Sequence, residues 1–110
     1  MKIDYGSNKL KKKLSTAGEI SKAFGTMAKK VQQRLDEIDA VPSLAALIQI
    51  PAANCHPLSG NRSGEWAVNI SGNYRLVFTL DHDPIPTLEN GEIDRIKVTA
   101  IKIIETTDYH

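Results

Sequence analysis

Only one cysteine, Cys55, occurs in the 110 residues of this chain. No internal disulfide is possible, which fits a reducing, cytoplasmic setting. Aromatic residues make up 5% of the sequence, and Trp66 is the one tryptophan. No apolar run approaches the ~20 residues that a membrane span needs. The opening M-K-I-D-Y-G-S-N lacks the apolar core of a signal peptide. There is no internal repeat and no low-complexity linker. A glycine-rich phosphate loop and a serine-centred nucleophile elbow are both missing. Cys55, His56, His82 and Asp83 have no recognised zinc-ligand spacing, so no metal or cofactor is expected. Cys55 and His56 adjoin, but neighbours in a chain rarely point at each other and no third orienting group is evident. Cys55 is therefore not expected to be a nucleophile.

What remains is an ordinary globular composition, 41% hydrophobic and 25% charged. The length predicts one domain, residues 1–110, with a real core. The net charge of +1 hides an asymmetry: residues 1–40 balance at +4, residues 41–78 at +1 and residues 79–110 at −4. Such a dipolar chain can hold nucleic acid on its basic side, although a solvated helix face, as around Lys11-Lys12-Lys13, gives the same count.

The stretch from Asn54 to Phe78 organises the rest. Trp66, Val68 and Ile70 alternate with Ala67 and Asn69; Tyr74, Leu76 and Phe78 alternate with Arg75 and Val77. Period-two alternation on either side of Ser71-Gly72-Asn73 predicts a β-hairpin. A three-residue loop pairs Ile70 with Tyr74, Val68 with Leu76 and Trp66 with Phe78, which puts every large side chain on one face. A two-residue Gly72-Asn73 loop would pair Ile70 with Arg75 and scramble the faces. The expectation is the three-residue loop, with Gly72 or Asn73 left-handed. Arg75 then lies on the opposite face, either paired to a carboxylate or offering its planar fork to an anion.

Upstream, Ile3 to Tyr5 suits a short strand, and Ser7 or Asn8 a helix cap ahead of Leu10 and Leu14. Thr16-Ala17-Gly18-Glu19 has the form of a capping box. Ile20, Phe24, Met27, Val31, Leu35 and Ile38 then form one stripe, predicting a single helix of about five turns with Lys22, Lys29, Lys30, Gln33, Arg34 and Glu37 outside. Gly25 in mid-helix suggests a close helix approach. Pro42 ends this helix, Ser43 to Leu47 reads as one or two more turns, and Pro51 to Gly64 as loop. Downstream, Pro84 and Pro86 exclude a central strand from 81–91. Residues 93–104 predict a last strand whose phase change implies a bulge or burial on both sides. Helices first and hairpins after predict an α+β fold, with N-terminal helices on one face of a small antiparallel sheet.

The residues left for chemistry are His56, Arg75, Asp108, Tyr109 and His110, with Arg62 near the first. Histidine, tyrosine and aspartate exchange protons, and arginine holds phosphate. That set suits RNA cleavage by its own 2′-hydroxyl, in which one group takes that proton, another protonates the leaving 5′ oxygen, and a cation steadies the phosphorane.

Taken together, H-P-L-S-G at 56–60, S-G-N-Y-R at 71–75 and D-Y-H at 108–110 resemble the HigB type of toxin in the RelE/ParE superfamily. A-F-G-T-M-A-K-K-V in the long helix and D-H-D-P-I-P in the late loop are similar to one branch of it, and nothing resembles a helix-turn-helix. The resemblance covers most of the chain. It implies a toxin of a type II toxin–antitoxin system, a ribosome-dependent mRNA endonuclease whose partners are the ribosome, mRNA and a HigA-like helix-turn-helix antitoxin. By motif, His56 would transfer protons and Arg75 would contact phosphate. Asp108, Tyr109 and His110 would match the D-Y-H motif, in which Tyr109 would stack on a base or aid proton transfer and His110 would serve as acid or base. Lys29, Lys30 and Arg62 would meet RNA, in a salt-sensitive way. Many relatives carry lysine where this chain has Ser59, and Arg62 is the candidate replacement cation. A ParE-like gyrase inhibitor and a non-catalytic, antitoxin-binding relative are the alternatives.

Overall fold

The computed structural model describes residues 1–108. Strand β1 (Lys2–Tyr5) leads into helix α1 (Asn8–Lys13), whose cap is Ser7: its hydroxyl accepts from the Leu10 amide at 3.2 Å. Thr16 caps α2 (Ala17–Phe24) in the same way, accepting from the Glu19 amide at 3.1 Å. The single long helix expected from the stripe is in fact two. Helix α2 stops at Gly25, which has φ of 56°, and a 3₁₀ turn over Gly25–Met27 leads into α3 (Ala28–Ala40). A Cβ at Gly25 would meet no atom within 4 Å, so glycine is needed there for its backbone conformation, not for a close helix approach. The stripe keeps its phase through this break, and Ile20, Phe24, Val31, Leu35 and Ile38 are all buried. Ser43 then caps α4 (Leu44–Ile48).

The sheet takes β2 (His56–Pro57), β3 (Glu65–Ser71), β4 (Tyr74–Leu80) and β5 (Ala100–Asp108) in the order β1-β5-β4-β3-β2. Only β1 runs parallel to its neighbour, β5. In the hairpin Trp66 pairs with Phe78 and Val68 with Leu76, as the alternation requires. The turn itself differs from expectation. Ser71 pairs with Tyr74 across the two residues Gly72-Asn73, and the register shifts between Asn69 and Ser71. Ile70 is thus the extra residue of a bulge, which restores the faces that a two-residue turn would otherwise scramble. Gly72 takes the left-handed conformation, φ 54°.

The last strand begins at Ala100 rather than near residue 93. Residues 93–99 belong to the preceding excursion, where Ile93 bridges Thr87 and Ile96 is 74% exposed. The pairing is regular at Ala100 and Ile101, where the phase change suggested a bulge, and the strand's bulge lies instead at Ile104: Val77 pairs with Glu105 while Phe78 pairs with Ile103.

All helices pack on one face of the sheet. Trp66, Val68, Ile70, Leu76, Phe78, Ile101 and Ile103 meet Ile20, Phe24, Val31, Leu35, Ile38, Leu44 and Leu47 there. One member of the outer set departs from the pattern. Arg34 is only 6% exposed, and its guanidinium donates to the carbonyls of Asn69 (2.7 Å) and Ala52 (2.9 Å) and to Glu37 (3.0 Å). A planar fork with several donors meets acceptors from three segments at once, which is how its charge tolerates burial. No helix among the described residues is long and apolar enough to cross a membrane.

Candidate functional site

The face of the sheet away from the helices is built from the other half of each alternating strand. Ala67 and Val77 pair across it, as do Asn69 and Arg75, and both Ala67 and Val77 are fully buried. His56 pairs with Ala67, so the histidine lies two strands from Val77 and Arg75 two residues further along β4. Arg75 is 8% exposed. His56 and Arg75 meet at a recess of about 310 Å³ that Pro57, Leu58, Ser59, Asn61 and Arg62 also line.

Local structure fixes the histidine. The turn Pro51–Ala53 ends at Asn54, which is left-handed (φ 43°). The Asn54 carbonyl comes 2.7 Å from Nδ1 of His56. A carbonyl only accepts, so Nδ1 carries the proton of the neutral ring. Nε2 is left as the basic nitrogen. Cys55, one residue earlier, points the other way, into the core, and burial pushes its thiol up to about 12. It is no nucleophile at neutral pH.

Arg62 reaches the recess with its charge already engaged. Its Nε donates to Glu65 at 2.7 Å and its Nη2 to Glu105 at 2.7 Å. Those hydrogen bonds, Glu105 first, raise its pKa further. The replacement cation expected beside Ser59 is therefore bound by two carboxylates. Neither glutamate was singled out by sequence. Glu65, three residues after Arg62, was the available signal, since on the predicted strand it shares the Ala67 face.

The other expected site residues lie elsewhere. Asp108 pairs with Tyr74, whose ring packs edge-on against Phe24, and does not line the recess. Lys29 lines a hollow between α2 and α3, and Lys30 is exposed on α3. Tyr109 and His110 fall outside the described residues. Among the described residues the recess thus combines one imidazole, His56, with two guanidinium groups, Arg75 and the carboxylate-bound Arg62. That is a chemistry of anion binding with proton transfer.

No family model and no curated protein sequence matches the chain. Among solved structures it is similar to the YoeB/ParE toxin from Agrobacterium tumefaciens, with a TM-score of 0.52, 13% identity and 100% of both chains covered. At that identity the likeness speaks for the fold alone: helices on one side of a five-stranded sheet, resembling the fold of that toxin.

Proposed function

We propose that this chain is the toxin of a type II toxin–antitoxin pair and cuts mRNA on the ribosome in the manner of the HigB type, acting in the cytoplasm. One observation carries the reading: in a toxin-type fold, His56 and Arg75, from segments nineteen residues apart in sequence, line one recess on the face the helices leave open. In this reading Arg75 binds the scissile phosphate and its charge steadies the phosphorane. Nε2 of His56 is free of the Asn54 bond and exchanges a proton with the 2′-hydroxyl or the 5′ oxygen. The 2′ oxygen attacks phosphorus, the P–O5′ bond breaks, and the products are a 2′,3′-cyclic phosphate and a 5′-hydroxyl. Asp108, Tyr109 and His110 enter this proposal through the resemblance of the D-Y-H motif alone. So do the contacts of Lys29 and Lys30 with ribosomal RNA, and the HigA-like antitoxin.

A second reading, a relative that binds an antitoxin without cutting, is favoured by the pairing of Arg62 with Glu65 and Glu105. The test is to induce the chain in bacteria and map transcript 5′ ends, with translation running and with it blocked. The same is done for the chain lacking Tyr109 and His110. Cuts within codons that need translation and those two residues support the nuclease. Growth arrest with intact transcripts and stalled replication would turn the reading to a gyrase inhibitor. No arrest and no cuts would favour the non-cutting relative.

A further inference from the structure

The excursion between β4 and β5 is ordered and yet exposes apolar surface. Thr87 bridges Ile93, the Leu88 amide donates to the Glu92 carbonyl at 2.7 Å, and the Asp94 amide donates to the Pro86 carbonyl at 2.8 Å. Its far limb is tied to the helices, with the amides of Ala45 and Leu44 donating to the carbonyls of Arg95 and Val98. A segment held this firmly has a fixed surface. The large hydrophobic side chains exposed among the described residues are Ile85, Leu88 and Ile96, all from this excursion. Leu88 (46% exposed) and Ile96 (74% exposed) stand at a hollow of about 760 Å³ that Pro57, Trp66 and Ile93 also line. The Arg95 guanidinium covers the Trp66 ring, 5.5 Å from its centroid. One exposed apolar side chain would mean little, but Leu88 and Ile96 share one hollow, and a contiguous apolar patch marks a contact surface.

Charge selects the occupant. Glu92 and Asp94 border the hollow and Glu89 lies next to Leu88, against one cation, Arg95, which is laid over Trp66; the carboxylates outnumber it, and among the described residues none of the three makes an ion pair. Carboxylates at the rim repel phosphates, which disfavours RNA here. They attract lysine and arginine. We propose that this hollow docks a peptide segment of a partner protein, one bulky apolar side chain flanked by basic residues. The apolar side chain fills the hollow between Leu88 and Ile96, and the basic residues meet Glu89, Glu92 and Asp94. The surface is distinct from the His56 recess, with Pro57 as the wall common to both. The inference does not depend on the chemistry proposed for that recess.

The test uses the whole chain and a phage-displayed library of random heptapeptides. The selected consensus is then synthesised and titrated while Trp66 fluorescence is followed. The expected consensus is a large apolar residue with lysine or arginine on either side. Affinity should fall at least tenfold in Leu88→Asp and in Ile96→Asp. It should fall several-fold in Glu92→Gln and on raising salt. Both aspartate variants replace exposed side chains, and their circular dichroism should match the parent. No enrichment, an acidic consensus, or equal affinity in the variants would overturn the proposal. So would concentration-dependent dimerisation that Ile96→Asp abolishes, which assigns the face to a second copy. Binding of polyuridylate RNA that the same variants lose would overturn it too.

Discussion

The two faces of the sheet come from the same strands and obey different rules. On the helix-packed face Trp66, Val68, Ile70, Leu76 and Phe78 are all buried against helices. On the other face Ala67 and Val77 form a small apolar ground among Glu65, Asn69, Arg75 and Thr79. Stability is thus concentrated on one side. The other can carry charge and a recess without a second core to maintain. Alternation with a period of two is what lets one hairpin do both, and it makes the two faces separately mutable.

The sharpest test of that separation is Trp66→Ala. Removing a large buried aromatic costs ~3–5 kcal/mol, a large part of the ~5–15 kcal/mol that holds a domain of this kind. Circular dichroism during urea denaturation should show the variant largely unfolded or with a much lower midpoint. An unchanged midpoint would mean the face is wrongly assigned. The counterpart on the recess face is Arg75→Ala. Under the proposed nuclease reading, transcript cleavage should fall ~100-fold or more, as for loss of a group that stabilises transition-state charge. The loss of stability should be smaller than for Trp66→Ala. Full cleavage at equal expression would remove Arg75 from the site.

Arg34 joins the two faces and should give an intermediate effect. It donates to the Asn69 carbonyl, whose residue pairs with Arg75, and to the Ala52 carbonyl, two residues before the Asn54 carbonyl that orients His56. Arg34→Met keeps the length but removes every donor, at about 1–3 kcal/mol for each carbonyl left buried and unbonded. Arg34→Lys, with one point charge in place of the fork, should recover only part of this. A Met variant as stable as the parent in urea would show that water replaces the guanidinium there.

The sequence makes some of this visible, and the boundary is physical. The faces of β3 and β4 and the stripe of α2 and α3 are legible because side-chain direction repeats locally. The bulge at Ile70 is not, because two turn lengths with one compensating residue give the same faces. The break at Gly25 hides for a similar reason: a short 3₁₀ turn preserves the phase of the stripe on both sides. Residues 93–99 mislead because Ile96 and Val98 alternate like strand residues, while Val98 alone is buried. At the site, His56 and Arg75 stand out by type and position. The binding of Arg62 by Glu105 spans 43 residues, and that of Arg34 by Asn69 spans 35. No local pattern encodes such pairings.

Cys55 and His56 give the finest form of the comparison, since one peptide bond separates the two environments. His56 lines the recess, while Cys55 belongs to the core cluster with its thiol pushed up to about 12 by burial, against a small opposing pull from Arg95. The unfolded thiol ionises near ~8.5. Between roughly pH 8.5 and 12 the unfolded chain has therefore released a proton that the native chain retains, and stability falls as pH rises through that window. The slope from this one group is at most about 1.4 kcal/mol per pH unit. Lysines and tyrosines also titrate there, so the informative quantity is a difference. Urea midpoints of the parent should fall more steeply between about pH 8.5 and 10.5 than those of Cys55→Ala, although the alanine variant is the less well packed of the two at neutral pH. Equal slopes would place the thiol in contact with water and on the same side as His56, and the separation of the faces would not reach this far along the chain.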